Sequence, residues 1–248
     1  MDLLKEYIRL LVAEAAKTAK AAKPVKKKPK LIFMAGSPGA GKSTVRRLLD
    51  LSGFEIIDPD EAYEAALKRA KMSLNIAEFE NQFFPISDQM KAAIAAGDEA
   101  MIAKLKPEYE RLKKLASARA IAFNDAQAAA KQKREELAEK SKNMIIDGTG
   151  GDFNRINKAK ETFEALGYET AMIYVFVPLK ISQERNRERG AAGGRVLRDI
   201  TVEKSWNAVQ KNLEPYRELF GKRFFYVDAS NMDKSVASIR NKVKAFLV

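Results

Sequence analysis

A chain of 248 residues with no cysteine and no histidine cannot build disulfides, thiolate or histidine metal sites, or a Ser-His-Asp triad. Its 46% hydrophobic share is enough for a sizeable core, and the length suits one domain with a large insertion. With a formal charge of +12, the chemistry has to run on carboxylates, Lys, Arg, hydroxyls and bound metal, with phosphates or polyanions as the natural partners.

Residues 2–20 place Leu4, Tyr7, Ile8, Leu11 and Ala15 at helical spacing, which predicts an amphipathic helix. Pro24, Pro29 and seven lysines without an acid across 17–30 then predict a linker over 21–30. That basic tail reads equally as a solvated tether or as a nucleic-acid contact. Residues 31–248 keep an excess of +6, which suits a protein that handles phosphates. The acidic start Met1-Asp2-Leu3-Leu4-Lys5-Glu6 does not read as a signal peptide, and no apolar run is long enough for a membrane span. A cytoplasmic protein without a membrane partner is the expectation.

The apolar run 31–35 predicts a buried parallel strand, followed by a helix over 44–51. A second strand over 54–57 ends at Asp58-Pro59-Asp60. From about 61 to 142 the sequence is rich in Ala, Lys, Glu and Gln, which predicts a helical insertion with breaks near Pro85, Gly97 and Pro107. Strands follow over 144–146, 171–177 and 223–227. Helices are predicted over 154–166, 179–188, 201–213 and 232–246, with a flexible glycine loop over 190–194. Alternating strands and helices predict an α/β fold with a parallel sheet covered on both faces. The division is residues 1–30, helix and linker, then 31–248, one α/β domain with its insertion.

The stretch Gly36-Ser37-Pro38-Gly39-Ala40-Gly41-Lys42-Ser43-Thr44 has the G-x-x-x-x-G-K-S spacing between a strand and a helix that ATP phosphates require. Its glycines let backbone N–H groups curl around phosphate oxygens at a helix N-terminus. Lys42 brings charge to the β- and γ-phosphates, and Ser43 offers a hydroxyl to Mg²⁺. Asp58 and Asp60 fall at a strand end in the crevice, where Asp58 is expected to bind the substrate and the Asp60 carboxylate to activate its attacking hydroxyl. The same Asp-Pro-Asp-Glu sequence also suits a helix N-cap. Asp147 closes the apolar run before Gly148-Thr149-Gly150, as a carboxylate that reaches Mg²⁺ or its waters. Arg185, Arg187, Arg189, Arg195 and Arg198 read as a lid whose cations meet the migrating phosphoryl group. The bland reading of these arginines is a solvated helix paired with Glu184 and Glu188.

Taken together, G-S-P-G-A-G-K-S-T, D-P-D, N-M-I-I-D-G-T-G and the strand before Val177-Pro178 resemble the zeta-toxin branch of phosphate-loop kinases. The likeness covers about 31–75 and 143–230. It implies ATP and Mg²⁺ as cofactors and a UDP-linked amino sugar as acceptor. It also implies Asp60 as catalytic base, Asp147 with Thr149 at the substrate, and Arg189 and Arg195 as lid arginines. Family members commonly carry Glu where Asp147 stands. An antitoxin-like protein inhibitor over the nucleotide cleft would follow, with the helix over 2–20 as an internal counterpart. The stretch Arg185-Asn186-Arg187-Glu188-Arg189-Gly190 also resembles polynucleotide 5′-hydroxyl kinases. A docking protein on a kinase scaffold is the non-catalytic alternative.

Overall fold

The computed structural model describes residues 28–248; the helix and most of the linker expected over 1–30 lie outside them. Strand β1 (Lys30–Ala35) leads through the glycine loop into helix α1 (Lys42–Leu48). Strand β2 (Glu55–Ile57) is followed by three helices, α2 (Pro59–Arg69), α3 (Ile76–Ala96) and α4 (Glu99–Glu139). Strand β3 (Met144–Asp147), helix α5 (Phe153–Ala165), strand β4 (Glu169–Phe176) and helix α6 (Leu179–Ala191) come next. Helices α7 (Asp199–Lys211) and α8 (Leu213–Phe220), strand β5 (Phe224–Asp228) and helix α9 (Met232–Leu247) complete the chain.

The five strands pair in parallel in the order β2-β3-β1-β4-β5. Parallel sheets need both faces covered, and the strand sequences obey that demand. Along β1, Leu31, Phe33 and Ala35 face the layer formed by α5, α7 and α8. Ile32 and Met34 face the opposite layer with α1 and α9. Strand β4 repeats the alternation, with Met172 and Tyr174 on the first side and Ala171, Ile173 and Val175 on the second. Each buried aliphatic contributes about 1.5–3 kcal/mol, so the central strands fix the register. The chain turns to opposite sides of β1 at its carboxyl end. In open parallel sheets that reversal opens a ligand crevice.

The helical insertion forms a third cluster around Tyr63, Leu67, Ile76, Ala122 and Ala126. Helices α3 and α4 make a hairpin turning at Gly97 (φ 68°), with Asp98 capping α4 through the Met101 N–H. Only the break near Gly97 occurs where it was expected. Pro85 and Pro107 lie inside helices. Both are exposed, so the carbonyls they leave unpaired, at Asn81 and Ala103, face water, and the helices continue.

Two further expectations fail for local reasons. The predicted helix over 201–213 divides at Asn212 into α7 and α8, because the Pro215 ring would clash with the carbonyl four residues earlier in one continuous helix. The glycine loop over 190–194 is a packed corner. A Cβ on Gly190 would stand 2.8 Å from Val196 Cβ, and one on Gly194 would stand 2.7 Å from Arg189 Cγ. The glycines there allow close approach, and α6 runs on through Ala191.

Candidate functional site

The carboxyl ends of β1, β2 and β3 bring the phosphate loop, Asp60 and Asp147 to one crevice. Loop residues 36–41 curl because Gly39 and Gly41 take left-handed backbone angles (φ 80° and 91°). A Cβ on Gly39 would lie 2.5 Å from the Ser182 carbonyl oxygen, so no other residue fits between loop and α6. Ser182 is fully buried, and its hydroxyl binds the Pro38 carbonyl at 2.5 Å and meets the Ser37 hydroxyl at 3.0 Å. Arg185 donates to the carbonyls of Ala40 (3.5 Å) and Ala229 (3.2 Å). Helix α6 thus holds the loop open from behind. The Gly36 N–H donates to the Thr149 carbonyl at 2.9 Å, tying the loop to the turn after β3.

Lys42 donates to the Gly36 carbonyl at 3.0 Å and lies 3.8 Å from Asp147 Oδ1. Arg46, one helical turn on, places Nη1 3.4 Å from Asp147 Oδ2 without a hydrogen bond. Asp147 is buried, and burial pushes its carboxyl up to about 6 against the opposing pull of Lys42 and Arg46; the negative charges of Asp58 and Asp60 add to the rise. Ser43 is exposed at the start of α1, and Thr44 follows half-buried. The Ser43 hydroxyl and the Asp147 carboxylate are hard oxygen donors of the type Mg²⁺ takes, and Mg²⁺ needs only one or two protein ligands. No cluster of three or more metal-binding side chains occurs among the described residues, so the donor set fits Mg²⁺ better than an all-protein metal cage.

The Asp58-Pro59-Asp60 stretch divides its labour. Asp58 takes the cap: its Oδ1 accepts from the N–H groups of Asp60 (3.0 Å) and Glu61 (3.1 Å), with Pro59 in the first helical position. Asp60 stays clear of the cap and pairs with Arg195 at 2.7 Å. A cavity of about 550 Å³ lies beyond, with Asp60, Asp147, Thr149 and Phe123 in its wall. Asp58 does not line it.

Arg189 and Arg195 converge on α2 instead of lying free on a lid. Arg195 is buried, and its Nε is 3.4 Å from Glu64. Arg189 is 3.8 Å from Glu64 and donates to the Arg195 carbonyl at 2.8 Å. Asn186, also buried, donates to the Leu197 carbonyl (2.8 Å) and accepts from its N–H (3.1 Å). The R-N-x-x-R-G stretch therefore stitches the corner that presents Arg195 to Asp60. Arg187 pairs with Asp199 and Arg198 with Glu80, both away from the crevice.

Several residues here escape sequence reasoning. Tyr216 donates to the Gly150 carbonyl (2.9 Å), and the Asn212 amide reaches the carbonyls of Gly150 and Gly151 (3.0 Å each). These bonds fix the turn after Asp147 from α7 and α8, across more than 60 residues of sequence. Burial pushes the Tyr216 hydroxyl pKa up, so it stays a donor. Nothing local in the sequence marks such long-range anchors. Arg46 was findable, one helical turn from Lys42 on the same face.

No curated protein matches the chain. Among solved structures it is similar to a protein of Chloroflexus aurantiacus named provisionally as a kinase (TM-score 0.53, 13% identity, 88% of this chain and 98% of that one). It is also similar to a chain of the PezAT chromosomal toxin–antitoxin system of Streptococcus pneumoniae (TM-score 0.50, 17% identity, 92% and 77%). At such identities the likeness carries the fold alone, a parallel sheet with helices on both faces and the phosphate loop of the kinases at its centre. The profile described as AAA domain matches residues 31–216, more than half of the sequence, and the chain belongs to that family.

Proposed function

We propose that this chain is an ATP-dependent kinase that transfers the γ-phosphate to a hydroxyl of a small molecule. One observation carries the reading: Asp60 and Asp147 line one cavity, and Asp147 also stands 3.8 Å from the loop lysine Lys42. Donor and acceptor sites thereby share a wall. Residues 36–44 would hold the triphosphate, with Arg185 bracing the loop. Ser43 and Asp147 would hold Mg²⁺, which neutralises charge on the phosphate oxygens when bound. Lys42 is drawn to the Gly36 carbonyl and Asp147 in the free protein; with phosphate present it has a stronger partner.

Asp60 is the base in this reading. It must exchange Arg195 for the acceptor hydroxyl, whose proton it then accepts at Oδ1 or Oδ2. Arg195, released beside the transferring group, and Arg189 behind it would add positive charge where the transition state carries negative charge. Asp58 keeps α2 anchored so that Asp60 points inward, and Thr149 lines the acceptor side. The finer form of the proposal takes a UDP-linked amino sugar as acceptor. The loop, D-P-D and D-G-T-G resemblance supports it. A protein inhibitor over the cleft belongs to the same form. The unit so proposed is 31–248, with 61–142 as the insertion and 1–30 as an appended helix and linker.

The test incubates labelled ATP and Mg²⁺ with UDP-amino sugars, other small alcohols and, separately, a 5′-hydroxyl oligonucleotide. Transfer to a small alcohol, reduced about 10²–10³-fold by Lys42→Ala and about 10²–10⁴-fold by Asp60→Ala, is the expected result. Label on the oligonucleotide alone would favour the polynucleotide kinase. An ATP-inert protein indistinguishable from its Lys42→Ala form would leave the docking scaffold.

A further inference from the structure

The cavity that Asp60 and Asp147 line is lined as well by residues of α4 and α5. Arg134 on α4 and Arg155 and Lys158 on α5 line it. Arg155 and Lys158 are three apart on one helix and so share a face.

Every acid around this cavity already has a partner. Asp60 pairs with Arg195, and Asp147 lies against Arg46 and Lys42. Asp152 accepts from the Arg155 N–H as the cap of α5, and Glu135 lies 3.9 Å from Lys131. Arg134, Arg155 and Lys158, by contrast, make no ion pair and no side-chain hydrogen bond among the described residues. Burial, together with the charge of Arg155, also lowers the pKa of the Arg134 guanidinium against the weaker opposing pull of Glu135, as expected of a half-buried cation with a like charge beside it. Three cations without an ion pair therefore share the cavity's lining with four acids that already have partners. The acids suit a hydroxyl and the cations suit an oxyanion, which a planar guanidinium binds with two parallel hydrogen bonds.

We propose that Arg134, Arg155 and Lys158 form an oxyanion subsite, so that the phosphoryl acceptor is an alcohol that also carries a phosphate or a carboxylate. The proposal rests on the reading of this cavity as the acceptor site. The subsite fixes which end of the acceptor points at Asp60: with the anion held on the α4–α5 wall, the hydroxyl is turned toward the loop. Neutral polyols lack the handle and are excluded as good acceptors.

The test first saturates the full chain with a nonhydrolysable ATP analogue and Mg²⁺, which fills the phosphate loop, and records nucleotide affinity. Glycerol 3-phosphate, glycerate and glycerol are then titrated calorimetrically into the parent and R134Q/R155Q/K158Q. Glycerol 3-phosphate, glycerate or both should bind the parent, and glycerol should not. The triple variant should bind the anions roughly tenfold more weakly or worse at parental nucleotide affinity. Binding of one anion and not the other assigns phosphate or carboxylate. Because R155Q/K158Q changes only exposed residues, it serves alone if the triple variant fails to fold. No anion binding by nucleotide-loaded parent, glycerol binding as well as the anions, or undiminished binding in the variants would overturn the subsite. Failure to take up nucleotide would overturn the kinase reading instead.

Discussion

Asp147 is the residue on which the crevice turns, because its side chain is only 5% exposed while two cations and two acids act on it. Its carboxyl binds its proton more tightly in the folded chain, with a pKa of about 6 against an ordinary 3.8. Between those values the native state carries the extra proton, so stability falls as pH rises through that window. Above it the buried charge is a standing cost, on the order of 3 kcal/mol. In nucleotide- and metal-free protein, Asp147→Asn should raise the thermal midpoint at about pH 7.5 and leave it nearly unchanged at about pH 4. Scanning calorimetry at both values checks this, and an equal shift at both would remove burial as the cause. As the proposed Mg²⁺ ligand, Asp147 would favour the bound ion more strongly above pH 6 than below, since only the carboxylate is a ligand.

Among the elements, the corner between α6 and α7 shows what sequence patterns convey and what they hide. The arginines and glycines there were legible as a group. Their packing was not, because Gly190 and Gly194 serve contact with Val196 and Arg189, and contact at that range has no sequence signature. The phosphate loop, by comparison, is legible almost to the residue, since strand, glycines, lysine and helix are local requirements. Of the strand-end acids, spacing alone left Asp58 and Asp60 alike and the family resemblance singled out Asp60; that the cap uses Asp58 alone is visible only in the structure. The anchors at Asn212 and Tyr216 depend on tertiary neighbours and leave no local trace. Asn186→Ala would strand the Leu197 N–H and carbonyl, at a cost of about 1–3 kcal/mol. Thermal unfolding should register a loss of about 2–4 °C per kcal/mol; an unchanged midpoint would show that the corner is held by its apolar contacts.

For the molecule as a whole, stability is expected to be graded from sheet to hairpin tip. Strands β1, β3 and β4 are almost wholly buried, whereas residues 91–101 are mostly exposed. Native-state hydrogen exchange should find the slowest amides in those strands and the fastest around Gly97; uniform protection would mean that the insertion unfolds only with the core. Helix α4, with 41 residues, is about 60 Å long. It carries Arg134 to the cavity at one end and the hairpin turn at the other. The amino end of the strands has its own consequence. Lys30, at the entry to β1, lies 5.1 Å from the ring centre of Phe246 in the last turn of α9. Lys30 and the last turn of α9 therefore lie together behind the sheet, away from the carboxyl ends of the strands where the chemistry is proposed. A solid support joined after the exposed Val248 would grip the molecule by its back and leave the crevice clear.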